Sequence, residues 1–344
     1  MTINRQGSSP ALTDSLGGSR TSPATLFVER PKEPILKRAW KARVIYLMLL
    51  PTFGLITLFN YFPVILGFYY SFTIYDGMTS YWTGLTNYRR IFQDPALVQS
   101  YKNMAIILPF TIIIGVVMPL LVAYLIYHLM HSNTRYIFRV MFTLPMVVPG
   151  IVMLLIWIYI YTPGGGLNTI LDMVGLKSWT LVSGSLERAW LGDPNTALAA
   201  VLFAGFPWVS PVNMLIFLAG LENINVELVD AAKVDGAIGW KMFQYLELPM
   251  VVGQIRLVVV TSTIGVMQGF QNILVMTGGG PGYATMVPAM RMYDTVFGAN
   301  PGGQGTAPQM GFGSAIGVFL FLIIMVITIF NLRVIRSRVE QVAA

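Results

Sequence analysis

Six stretches of this chain contain no Asp, Glu, Lys or Arg: 44–72, 104–129, 140–161, 196–221, 257–276 and 312–332. Each holds 20 or more residues. An α-helix rises about 1.5 Å per residue, so about 20 residues cross the roughly 30 Å hydrocarbon core of a bilayer. Backbone groups in lipid find no water, and a helix bonds all of them within its own segment. The chain therefore reads as an all-α membrane protein with six transmembrane helices. The soluble alternative fails on composition, because charged residues are only 11% of the 344, against about 25% in soluble domains.

The placement of Lys and Arg gives an orientation. With residues 1–43 inside, 16 of the 22 basic residues fall on that side, and six (Arg89, Arg90, Lys102, Lys177, Arg188 and Arg291) fall outside. Cytoplasmic loops hold the excess of Lys and Arg, so both termini are expected in the cytoplasm of a multi-pass protein. The net charge of +7 thus describes topology, and nucleic acid is not an expected partner. Residues 1–43 are rich in Ser, Thr, Gly and Pro and read as a flexible cytoplasmic tail. No short apolar core with a small-residue cleavage site occurs there, so a cleaved signal peptide is not expected. Residues 44–338 form the membrane domain, and 339–344 a C-terminal tail.

What the spans lack narrows the chemistry. None contains Asp or Glu, the residues with which ion-coupled carriers bind or relay ions at membrane depth. There is no cysteine, and the only histidines are His128 and His131, so no metal centre and no catalytic residue is expected. No Gly-Lys dipeptide occurs, which excludes a GxxxxGK[ST] phosphate loop. Pro51, Pro63, Pro109, Pro119, Pro145, Pro149, Pro207 and Pro211 lie within the apolar stretches. Each removes a helical hydrogen bond, which suits a kinked bundle around a pathway.

The segment between the fourth and fifth stretches, 222–256, carries the most distinctive pattern. Val226 to Val234 reads as a short helix with Leu228, Ala231 and Ala232 on one side, and Gly236 supplies a backbone that ends or bends it. A second helix is expected from Ala237 to Leu248. By chemistry alone, a docking helix and a plain interfacial helix fit equally well.

This segment resembles the cytoplasmic signature of bacterial ABC importer permeases, E-A-A-x-x-x-G followed by nine residues and I-x-L-P. Here Asp230-Ala231-Ala232 precedes Gly236, nine residues follow, and Leu246-Glu247-Leu248-Pro249 closes the pattern. Asp replaces Glu, Leu replaces Ile, and Asn225 stands where the family often has proline. Further matches are Gly84-Leu85-Thr86-Asn87-Tyr88, Gly166-Leu167-Asn168 and Thr277-Gly278-Gly279-Gly280-Pro281-Gly282, which are similar to the first-type permeases of carbohydrate systems. The resemblance implies the type I permease fold in the bacterial inner membrane and half of an alternating-access pore. It also implies a second homologous permease, two ATP-binding subunits that hold the ATP and magnesium, and an extracytoplasmic solute-binding protein. On this basis Asp230, Ala231, Ala232, Asp235, Gly236, Ala237, Phe243 and Pro249 dock the ATPase, and the chain binds no cofactor and is no enzyme.

Sugars are held by planar hydrogen-bonding groups and aromatic faces, so the substrate pathway is expected at Trp208, Ser210, Asn213, Ser262, Gln268, Gln271 and Asn272. Helix-to-helix hydrogen bonding is the alternative use of each. An ion-coupled secondary transporter of a small polar solute is the competing function; it requires a coupling-ion site and usually an internal repeat, and neither is visible.

Overall fold

The computed structural model describes residues 40, 43–182, 186–298 and 307–334. Apart from Trp40 and Arg43, both expected tails lie outside the described residues. Two compact units divide between Phe59 and Asn60.

The first unit contributes α1 (Arg43–Ile56), and a π-helical turn, Thr57–Tyr61, follows it. No residue of α1 is buried, although its side chains are almost all apolar. Apolar surface of that extent is stable against hydrocarbon rather than water.

In the second unit, α2 (Phe62–Tyr70) leads into an antiparallel hairpin, β1 (Thr73–Tyr75) and β2 (Ser80–Trp82), with Ile74 opposite Tyr81. The short α3 (Thr86–Ile91) precedes the 33-residue α4 (Pro95–Tyr127). Asp94 caps α4 by accepting from the Leu97 N–H at 2.9 Å, and its other oxygen lies 2.6 Å from Arg291 Nη2. Next come α5 (Ser132–Thr143), a 3-10 turn Leu144–Val147, α6 (Gly150–Ile160), α7 (Gly166–Met173) and α8 (Lys177–Thr180). A two-residue pairing, β3 (Leu181–Val182) with β4 (Leu186–Glu187), leads to α9 (Ala197–Phe203) and α10 (Pro211–Glu222). The loop elements are α11 (Val226–Val234), α12 (Trp240–Met242), a π-helical turn Phe243–Glu247 and α13 (Leu248–Met250). The chain then runs through α14 (Val252–Gln268), α15 (Gln271–Met276), α16 (Pro288–Phe297) and α17 (Met310–Val334).

The expectation of six continuous helices meets a more broken architecture. Among the described residues three helical runs, Arg43–Tyr70, Pro95–Tyr127 and Met310–Arg333, are long and apolar enough to cross a bilayer unaided. Three bent pairs raise the number to six if each pair is one span. The third stretch bends by 86° between Val147 and Gly150, where Pro145 and Pro149 withhold backbone donors. The fourth is interrupted from 204 to 210, and the fifth between Gln268 and Gln271. The second loop helix begins at Trp240 rather than Ala237, because Gly236 and Gly239 have φ of +80° and +58° and hold the intervening residues out of helix.

Among the described residues three apolar clusters line α4, the first holding Leu97 with Ile91, Phe312 and Ile316. Near its C-terminal end, Leu120 and Ala123 pack with Met214 and Phe217 of α10 and Val258 of α14. Between these, Met104 and Ile107 meet Met267, Met290 and Leu320. The motifs outside the loop staple chain segments together. Asn87 is buried and donates to the Ser71 and Thr73 carbonyls at 3.1 and 2.8 Å, and Asn168 Oδ1 accepts from Trp190 Nε1 at 2.7 Å.

Candidate functional site

The interruptions of the fourth and fifth stretches open onto one cavity of about 590 Å³, within the roughly 300–1,000 Å³ usual for small-molecule sites. Its walls come from α4, from the break between α9 and α10, from α10 itself, and from the end of α14 with the start of α15. Six of the seven residues expected on a substrate pathway line it: Trp208, Ser210, Asn213, Ser262, Gln271 and Asn272. Gln268 does not; it is exposed and lies outside the cavity lining. The reason is helical phase. Ser262, Gly265, Val266 and Gly269 recur at the spacing of one helix face, and position 268 falls off it. Asn272, seven residues beyond Gly265, falls on that face in any case, whereas Gln271 reaches the cavity because the helix stops at Gln268 and restarts in a new phase.

Ser210, Asn213 and Trp208 are each held locally. Ser210 caps α10, its Oγ accepting from the Asn213 N–H at 3.4 Å, and Pro211 occupies the first turn, where its missing N–H is not needed. Asn213 Nδ2 donates to the Gly115 carbonyl at 3.0 Å, tying α10 to α4. A Cβ at Gly115 would lie 3.9 Å from both Asn213 Nδ2 and Ser262 Oγ, so three segments converge at that glycine. Trp208 has φ of +55°, an uncommon conformation for a non-glycine residue. Its Nε1 donates to the Leu202 carbonyl at 3.0 Å, and its ring meets Phe203, Phe206 and Phe110 at centroid distances of 5.3, 5.0 and 5.9 Å. Phe110, Thr111 and Gly115 also line the cavity. Attention to polar residues of the fourth and fifth stretches alone misses them, although 107, 111, 114 and 115 share one face of α4.

At the other end of the bundle, α11 is well terminated. Asn225 Oδ1 accepts from the Glu227 N–H at 3.0 Å as its N-cap. At its C-terminus the Gly236 N–H donates to Lys233 O at 3.0 Å and the Ala237 N–H to Ala232 O at 2.9 Å. These are the two bonds of a Schellman motif, with Gly236 at the left-handed position. Asp230, Ala231, Asp235, Gly236 and Pro249 are exposed, and Ala232, Ala237 and Phe243 are half-buried. Beside them Val226, Val234, Ile238 and Trp240 expose large apolar side chains, Val234 at 88%. Apolar side chains rimmed by charge suit a partner surface or a membrane interface.

This element is braced against the bundle. Glu222 pairs with Arg139 of α5. Phe243 packs edge-on against Tyr124 at 4.9 Å. Glu247, buried to 1% exposure, places Oε1 3.0 Å from His128 Nε2, while its Oε2 is buried without a hydrogen-bond partner among the described residues. Arg135 Nη2 donates to the Tyr127 and Leu129 carbonyls at the end of α4. Among the described residues no cluster of three His, Cys, Asp or Glu could hold a metal ion.

The sequence profile of the family described as binding-protein-dependent transport system inner membrane component matches residues 115–341. The multiple sugar-binding transport system permease protein MsmF of Streptococcus mutans is 28% identical over 278 residues, 80% of this chain and 89% of that one. The sn-glycerol-3-phosphate transport system permease protein UgpA of Yersinia pestis is 28% identical over 314 residues, 90% and 99% of the two chains. Among solved structures, a chain of a bacterial ABC transporter involved in import of the acidic polysaccharide alginate superposes with a TM-score of 0.74 at 22% identity, covering 89% of this chain and all of that one. That likeness shows the fold.

Proposed function

The chain belongs to the family of binding-protein-dependent transport system inner membrane components, and from that premise we propose that it is one of two permeases forming the alternating-access pore of an ATP-driven carbohydrate importer. As a membrane component of a transport system it is not an enzyme. The observation that carries the reading is the pairing of a polar, aromatic cavity between α4, α10 and α14 with an exposed apolar patch on α11, joined by packed helices. The sugar class rests on relatives named for multiple sugars, lactose and glycerol 3-phosphate, and on the Trp208 and Phe110 rings beside amides and hydroxyls.

In this reading residues 44–338 are the permease domain, 1–43 and 339–344 are cytoplasmic tails, and the loop 222–256 faces the cytoplasm. Two ATP-binding subunits, which hold ATP and magnesium, dock one on each permease. On this chain Asp230, Ala231 and Gly236 meet the ATPase, Trp240 and Ile238 add apolar contact, and Phe243 with Glu247 passes its motion to α4 through Tyr124 and His128. A solute-binding protein delivers cargo from outside. Closure of the ATPase dimer then turns the cavity outward, and hydrolysis returns it to the cytoplasmic side.

An ion-coupled secondary transporter predicts a different energy source. The test is uptake of labelled sugars into proteoliposomes holding the complete complex, with ATP inside or outside and with an ionophore. Uptake that requires ATP and survives the ionophore is expected. Uptake that survives ATP removal and collapses with the ionophore overturns the proposal.

A further inference from the structure

Resting on that reading, we propose that the cavity selects an uncharged polyhydroxyl solute and turns away carboxylated or phosphorylated sugars. The argument begins with what can reach the cavity. Residues 104–129, 196–221 and 257–276, which supply its walls, contain no Lys and no Arg. A carboxylate or phosphate ester brought among Phe110, Trp208 and Ile273 loses its water and meets no countercharge from this chain.

The hydrogen-bonding inventory points the same way. An anion only accepts, whereas a sugar hydroxyl both donates and accepts. The single N–H of Trp208 Nε1 is spent on the Leu202 carbonyl, and Asn213 Nδ2 gives one of its two N–H groups to the Gly115 carbonyl. Asn213 keeps Oδ1 as an acceptor and its second N–H as a donor, the two-way capacity that matches a hydroxyl. Ser210, Ser262 and Thr111 carry hydroxyls that can donate or accept, and Gln271 and Asn272 carry amides that do both. Such a mixed set complements a polyol ring edge. The Trp208 indole, with its N–H turned to backbone, offers carbon surface to the apolar face of a sugar.

The experiment uses the complete importer in ATP-loaded proteoliposomes, supplied with an equimolar mixture of lactose, raffinose, maltotriose, trigalacturonate and sn-glycerol 3-phosphate together with a cell extract. Mass spectrometry reads what accumulates only with ATP. Accumulation of neutral sugars with exclusion of both anions is the expected result. Preferential accumulation of trigalacturonate or glycerol phosphate overturns the inference and leaves the carbohydrate importer standing. Accumulation only of non-carbohydrate solutes, or of nothing, overturns the importer reading and the inference with it. A second arm isolates this chain's wall. Ser262→Lys is expected to assemble with its partners yet lower neutral-sugar accumulation at least tenfold, while trigalacturonate gains relative to raffinose. Unchanged neutral uptake by that variant shows that the cavity is not the path and overturns the inference.

Discussion

Replacing Gly236 in a graded series isolates the C-cap of the docking helix. The residue sits at φ +80°, and a Cβ built on it meets no atom within 4 Å. Any penalty is therefore backbone strain rather than a clash. The left-handed conformation costs an L-residue roughly 1–2 kcal/mol, least for Asn and most for β-branched side chains. One to two kcal/mol is about a 5- to 30-fold shift in an equilibrium, here between the capped α11 and a frayed one lacking the Gly236–Lys233 and Ala237–Ala232 bonds. Because the site is exposed, the membrane bundle is expected to insert normally. Uptake and stimulation of the ATPase by loaded binding protein are then expected to fall in the order Gly, Asn, Ala, Val, with Val reduced on the order of tenfold or more. The assay is reconstituted uptake and ATPase rate at matched membrane levels, with co-purification of the ATP-binding subunits. Equal uptake across the series refutes the coupling role. Equal loss in Asn and Val refutes the strain argument in favour of simple bulk.

The chain has no native cysteine, so Val234→Cys and Met78→Cys, at two highly exposed positions, report topology directly: an impermeant maleimide is expected to label position 78 and not 234 in cells with an intact inner membrane, and the reverse pattern sinks the orientation. Gly115→Ala is expected to keep uptake, since its Cβ would rest 3.9 Å from Asn213 and Ser262, whereas Gly115→Leu is expected to fill the cavity and abolish uptake without loss of complex assembly; sugar uptake by the Leu variant at the wild-type rate removes the cavity from the pathway. Burial pushes the Asp294 carboxyl up to about 6 against the pull of Arg291, and its Oδ2 is buried without a partner among the described residues. With the folded value above the unfolded one of about 4, stability is full below about pH 4 and is lost as pH rises through about 6. Asp294→Asn is expected to flatten thermal stability across that window, and an unchanged pH slope contradicts it.

The three continuous apolar helices were legible because lipid imposes a single rule on long segments, and the end of α11 was legible because glycine at a helix end has one physical reason to be there. Gly236 terminates α11 by the bonds a positive φ permits. The start of the second loop helix was not legible to the same degree. Gly239 also takes a positive φ, and a glycine followed by Trp and Lys reads equally well as the interior of a weak helix. Hydropathy is likewise blind to breaks inside an apolar stretch. Pro207 and Pro211 signalled one, but the seven residues lost from helix there depend on Gly205 and Trp208 both adopting left-handed backbone, which no composition rule foretells.

Those breaks decide how the candidate site could be read at all. A helix face is predictable only while the phase is unbroken. Ser262 could be placed from periodicity, while Gln268 and Gln271, three residues apart, would share one face of a continuous helix. The structure separates them, because the restart after Gln268 brings Gln271 into the cavity beside Asn272 and leaves Gln268 outside. Interrupted helices inside a membrane leave backbone groups that only protein or water can satisfy, so such breaks belong at a wet, protein-lined interior and not at the lipid face. The wall of the cavity is thus built where the helices fail to continue. The polar residues nearest the breaks, Trp208, Ser210, Gln271 and Asn272, are for that reason stronger candidates for solute contact than polar residues lying within an intact turn.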